Sequence, residues 1–152
     1  MLDLTYVELP DGQDELLEAM AENAHDMWAR ERQSEGWTYG PERNDQLLET
    51  PDMVPYAPVD THEIELPPHL DDLIETMAKN VHEVWAQTRQ RQGWVYGQQR
   101  DDARKWHPCL VPYEELTDDE REYDRNTAVE TLKLIMKMGF TIQPAAEISI
   151  NH

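Results

Sequence analysis

Apolar residues near the start of the chain recur at helical spacing. Leu16, Met20, Ala24, Met27 and Trp28 share one stripe between about Asp14 and Glu35, and Gly36 follows as a C-terminal stop. The pattern predicts a first long helix. It returns further on as Leu70, Leu73, Ile74, Met77, Val81, Val84 and Trp85, stopped by Gly93, which predicts a second. A third helix is announced once: Thr117, Asp118, Asp119 and Glu120 read as a capping box, Val129, Leu132, Ile135 and Met136 form the apolar face, and Gly139 ends it. Between the first two helices, Pro51, Pro55, Pro58, Pro67 and Pro68 make the chain extended. Val54, Tyr56, Val59 and Ile64 give that stretch packing residues, so it is expected to behave as an ordered strap. Thr5–Leu9 and His62–Leu66 alternate weakly, as short strands able to pair, and the tail Ile142–His152 reads either as a short strand or as a frayed end.

The first two helical patterns belong to a longer repeat. Leu9–Tyr56 aligns without a gap on Leu66–Tyr113, with roughly half the positions identical. One structural unit is used twice. The shared residues are mostly not the bland apolar ones: Asn23, His25, Trp28, Arg32, Gly36, Trp37, Tyr39, Gly40, Arg43 and Asp45 recur as Asn80, His82, Trp85, Arg89, Gly93, Trp94, Tyr96, Gly97, Arg100 and Asp102. After each helix comes Gly-Trp-x-Tyr-Gly, an aromatic turn whose glycines open backbone conformations that other residues avoid. Only the second copy runs on into a third helix.

Composition narrows the partners. With 152 residues and 39% hydrophobic content the chain is long enough for one domain with a real core. A formal charge of -19, from 32 acidic against 13 basic residues, repels nucleic acid and anionic membrane surfaces, and neither is an expected partner. No apolar run approaches the ~20 residues that span a bilayer, and the amino terminus lacks the basic start and apolar core of a signal peptide, so a cytoplasmic location is expected. The single cysteine, Cys109, has no disulfide partner within the chain and is read as a small packing residue.

Trp28 and Arg32, like Trp85 and Arg89, lie four residues apart and so share a helix face. Two readings stand beside each other here. Each tryptophan is core and each arginine a surface ion-pair partner, or each pair is a stacking plate beside a phosphate-seeking guanidinium. The charged run that follows, with Arg43 and Asp45 and then Arg100, Asp101, Asp102, Arg104 and Lys105, reads as solvated loop ion pairs or as a local positive excess able to hold an anion. His25 and His82 lack a second histidine at zincin spacing, so they are expected to hydrogen-bond to the neighbouring loop, and no metal site or cofactor is expected. No nucleophile elbow or phosphate-binding glycine loop occurs, and Cys109 beside His107 reads as structural.

In the second copy the string from Glu75 to Trp85, then Gly93–Gly97, Arg100–Asp102, Lys105–Tyr113, Tyr123–Arg125 and Glu130–Lys133, closely resembles the RyR repeat of ryanodine receptors. The resemblance covers Tyr56–Ile142 as a full repeat and Leu9–Tyr56 as one lacking the Tyr-Asp-Arg segment and the third helix. It implies a mainly α fold of two tandem repeats with pseudo-two-fold helix packing and short β-strands at the edges. The expected organisation is one domain, with residues 1–56 as the first, truncated repeat, 57–143 as the second and 144–152 as a tail. The resemblance further implies binding, not catalysis. An adenine nucleotide would sit between the copies at Trp28, Arg32, Trp85 and Arg89, with Tyr39, Tyr96, Arg43 and Arg100 completing the candidate site.

On this reading the chain binds a small nucleotide-derived signal of the ADP-ribose or cyclic ADP-ribose type, and sequesters it or senses it, as antiviral-immunity modules do. Sequestration is the first expectation because no effector is fused to the module. An acidic protein-interaction module with no small-molecule ligand is the alternative, and a signal-degrading enzyme is a third reading. Homo-oligomerisation is left open.

Overall fold

The computed structural model describes residues 3–55 and 57–145; Tyr56 and the part of the tail from residue 146 onward lie outside the described residues. Three long helices carry the architecture: α1 (Asp14–Ser34), α2 (Asp71–Arg91) and α3 (Asp118–Lys137). Four two-residue strands pair in parallel: β1 (Thr38–Tyr39) with β2 (Glu49–Thr50), and β3 (Val95–Tyr96) with β4 (Trp106–His107). Short 3-10 turns occupy Pro68–Leu70 and Tyr113–Glu115. None of the helices in the described residues is long and apolar enough to cross a membrane.

Each helix stops where its glycine stands. Gly36, Gly93 and Gly139 have φ of 94, 88 and 96°. Beyond them Trp37 N–H reaches back to the Arg32 carbonyl at 2.9 Å, Trp94 to Arg89 at 3.0 Å and Phe140 to Ile135 at 3.3 Å. This is the Schellman closure, which satisfies carbonyls the helix leaves open. At the start of α3, Glu120 N–H donates to Thr117 Oγ1 at 3.3 Å, as the capping pattern predicts.

The apolar stripes hold only in part. Leu73, Val81 and Val84 of α2 are exposed, and so is Ala24 of α1. In α2 the interior face is turned toward Ala78 and His82, because the buried cluster it joins is built from Tyr113 and Leu116, with Cys109 and Val111 packed against it. In α1 the buried residues are Asn23, Asp26, Met27 and Ala29. No strand occurs at 5–9 or 62–66 among the described residues. Strand pairing falls instead on the aromatic turns, where a nine-residue loop brings the chain back beside itself in parallel register.

The chain divides into two compact units. One holds residues 3–13 together with Leu66–Thr131; the other holds Asp14–Glu65 together with residues 132–145. The first copy, which has no third helix of its own, is therefore completed by the last turns of α3. In that unit Lys137 Nζ donates to the Asp60 carbonyl and lies 3.5 Å from Glu63, fastening the strap. The strap is ordered by buried polar groups as well. Ala57 N–H donates to Asp26 Oδ2 at 3.3 Å and Val59 N–H to Asn23 Oδ1 at 3.1 Å.

The outer glycine of the aromatic turn has a different task from the inner one. A Cβ on Gly40 would stand 2.7 Å from Glu49 Cβ, and one on Gly97 only 2.6 Å from Trp106 Cβ. The parallel partner crosses at that point and leaves no room for a side chain. Gly97→Ala is expected to destabilise the chain by about 1–3 kcal/mol through overpacking. Urea unfolding measures it, and a midpoint unchanged from the wild type would contradict this account of the turn.

Candidate functional site: two tryptophan–arginine stations

Each copy builds a station at the end of its long helix. In the first, the closure at Gly36 folds buried Trp37 back onto the helix end, and the Arg32 guanidinium lies 5.8 Å from its ring centroid. The loop after β1 then returns Arg43 over the same ring at 4.7 Å. In the second, Arg89 lies 5.6 Å and Arg100 5.4 Å from the Trp94 ring. Such contacts contribute about 0.5–1 kcal/mol each at exposed sites. The loop arginines are held by neighbours at one spacing: Arg43 Nε donates to Asp45 Oδ1 and Arg100 Nε to Asp102 Oδ1, both at 2.8 Å. Leu48 and Lys105, at aligned positions, both adopt φ near 55° (54 and 56°), so the loops turn alike.

Four of the eight candidate residues thus gather on two rings, with Arg32 and Arg43 on one and Arg89 and Arg100 on the other. Tyr39 and Tyr96 project from β1 and β3 and are 62% and 55% exposed, open to a ligand. Trp28 and Trp85 are half-buried and belong to a histidine arrangement. His25 stands 5.6 Å from Trp28 and His82 5.7 Å from Trp85, ring centre to ring centre, at tilts of 31 and 33°. In the second copy His107 meets Trp85 edge-on at 4.9 Å and Trp94 at 6.2 Å, linking the two tryptophans.

Trp37 and Trp94, the rings under the arginines, are absent from the candidate set read from the sequence. Their recurrence inside Gly-Trp-x-Tyr-Gly was the available signal. Helical spacing drew attention to Trp28 and Trp85 instead, whereas the tight turn after each helix makes the fifth residue onward the arginine's partner.

A polar network ties α2 of the second copy to α3 and to the turn at Tyr113. Arg125 reaches Glu75 with two hydrogen bonds, Nε to Oε2 at 2.7 Å and Nη2 to Oε1 at 3.1 Å, and Tyr113 Oη donates to Glu75 Oε1 at 3.1 Å. The arginine holds the Glu75 carboxyl below its usual range, while burial and then Glu75 push the Tyr113 phenol up. His82 Nε2–H donates to the Val111 carbonyl at 2.8 Å, as expected of a loop-bonding histidine, and its Nδ1 lies 4.0 Å from Asp124. Burial raises the Asp124 carboxyl to about 6; the His82 charge lowers it somewhat and Glu120 adds to the rise.

The aligned residues of the first copy include no counterpart of Asp124 or Arg125. Among the described residues His25 Nε2 is buried without a hydrogen-bond partner, and so is Asn80 Oδ1 in the second copy. Asn80 has a local reason. Its counterpart Asn23 accepts from Val59 N–H, but the aligned Leu116 N–H is taken by the Tyr113 carbonyl in the 3-10 turn. An open recess of ≈ 780 Å³ lies in the unit of the first copy, lined by Gln33, Tyr39, Met53, Val54 and Pro55. No cluster of three metal-binding side chains occurs among the described residues.

The family model for the RyR domain matches residues 1–57 and again 57–144. The chain belongs to the RyR domain family. It carries two RyR domains in tandem on a mainly helical fold, each with its own tryptophan–arginine station. The glycine closures and the parallel strand pairs that shape those stations recur in both RyR domains. The Glu75–Arg125 brace exists only where the domain runs on into α3.

Proposed function

We propose that this tandem RyR chain binds an adenine-containing, phosphate-bearing small molecule of the ADP-ribose or cyclic ADP-ribose type, leaves it chemically unchanged, and acts by withholding or reporting it. The observation that carries this reading is the duplicated station. On each copy two guanidinium groups lie on one tryptophan and the tyrosine two residues further along the chain is exposed, which supports a reading as phosphate donors with a stacking ring. Membership of the RyR family directs the ligand class toward adenine nucleotides. Trp28 and Trp85, half-buried one turn before Arg32 and Arg89, are the proposed plates for the base.

Isothermal calorimetry against ADP-ribose, cyclic ADP-ribose and ATP tests the proposal. A saturable heat with an NAD-derived member is expected, with Trp85→Ala and Arg89→Ala each removing it while circular dichroism shows the helix content kept. The stoichiometry separates one ligand per chain from one per copy. Tight binding by both variants would sink the reading. Heat-silent titrations across the panel would favour the acidic protein-interaction module, and loss of intact ligand on chromatography would favour an enzyme.

A further inference from the structure

The two stations share a frame and differ in charge. Residues 88–107 carry five cations, Arg89, Arg91, Arg100, Arg104 and Lys105, against two carboxylates. The aligned residues 31–50 carry two cations against five carboxylates. On a chain of formal charge -19, a local positive excess is what lets an anion approach.

The difference reaches the arginine at each helix end. Arg32 Nη1 donates to Glu35 Oε2 at 2.8 Å, a full ion pair. Gln92 stands at the aligned position, and Arg89 Nη1 donates to its amide Oε1 at 3.2 Å. No carboxylate among the described residues pairs with Arg89. Lys105 adds to the effect: its Nζ donates to the Gln92 carbonyl at 2.7 Å, at the position where the first copy has Leu48. A guanidinium already paired with a carboxylate must surrender that charge-assisted bond to take a phosphate. One bonded to a neutral amide exchanges a weaker bond for a stronger one.

We infer that the molecule is polar in its ligand binding: the second copy's station, with Arg89 over Trp94 and Gln92 beside it, takes the phosphate groups, and Glu35 silences the matching arginine of the first. The identity of the ligand rests on the nucleotide reading above, whereas the anion preference stands on charge and geometry alone. Position 92 is the specificity-determining residue. A carboxylate there would give Arg89 the ion pair that Arg32 makes with Glu35.

The test uses the full chain with 15N-labelled tryptophan and inorganic pyrophosphate as probe, reading the indole N–H resonances of Trp94 and Trp37. Trp94 is expected to shift saturably and Trp37 to stay in place. Gln92→Glu should weaken the Trp94 response tenfold or more, and Glu35→Gln should make Trp37 responsive. Equal movement of both resonances, an unmoved Trp94, or full affinity in Gln92→Glu would overturn the inference. The two readings fail separately. A Trp94 response to pyrophosphate beside heat-silent nucleotide titrations retires the adenine ligand and keeps the anion site, while heat with ADP-ribose beside an unmoved Trp94 does the reverse.

Discussion

Tyr113→Ala is expected to cost about 3–5 kcal/mol of stability, the range for truncating a large buried ring. Tyr113 is 4% exposed and forms the buried cluster with Ala78 and Leu116, so the ring has no alternative surface to occupy. Its hydroxyl also donates to Glu75, whose other contacts are with Arg125. The truncation therefore opens a cavity and removes a hydrogen bond from a charged acceptor. Tyr113→Phe separates the two effects. It keeps the ring and loses only the Oη–H bond, and should cost about 1–3 kcal/mol, since the acceptor is charged but remains bound by arginine. Urea unfolding midpoints of the two variants decide it. A loss below about 1 kcal/mol in Tyr113→Ala would mean that this ring does not organise the second RyR domain.

Asp124→Asn is expected to raise stability at pH 8 by on the order of 3 kcal/mol, and to flatten the wild-type pH dependence between about 6 and 4. The Asp124 side chain is 15% exposed, with His82 4.0 Å away, and burial lifts its carboxyl from 3.8 to about 6. Above that value the folded state holds a buried charge that the unfolded chain would place in water, so ionisation works against folding. As pH falls through 6, the native carboxyl takes up its proton before the unfolded one does, and stability rises. The gain is complete only once pH has fallen below 3.8, where the unfolded carboxyl is protonated as well. Many other carboxylates contribute to the total slope in so acidic a chain, so the informative quantity is the difference between wild type and Asp124→Asn at each pH. Parallel profiles for the two would show that Asp124 is ionised at no unusual cost.

The two expectations concern the same brace, which distinguishes the RyR copies from each other. Glu75 and Tyr113 have aligned counterparts in the first copy, Glu18 and Tyr56, yet Asp124 and Arg125 come from α3 and occur once. In the unit of the first copy, Asn23 and Asp26 grip the strap and Lys137 holds its far end.

Much of this was legible in the chain because its causes are local. The three helices fall where apolar spacing, the Thr117 cap and the glycines at 36, 93 and 139 place them, since caps and left-handed stops act within a few residues. The duplication was likewise visible as residue identity. The family followed from motif strings that survive in order.

Other features were decided only by the tertiary structure, because they depend on segments distant in sequence or on the direction a turn sends the chain. Helical spacing pairs Trp28 with Arg32, but the turn beyond Gly36 gives the guanidinium to Trp37. Nothing local distinguishes Val81 and Val84, which face solvent, from Ala78 and His82, which meet a core formed some thirty residues later. Glu75 and Arg125 meet across 50 residues, and the last turns of α3 complete the unit of a copy that begins at the other end of the chain. Sequence set the parts and their boundaries through short-range sterics and hydrogen bonding. Which faces are buried, and which aromatic each arginine covers, followed from long-range packing.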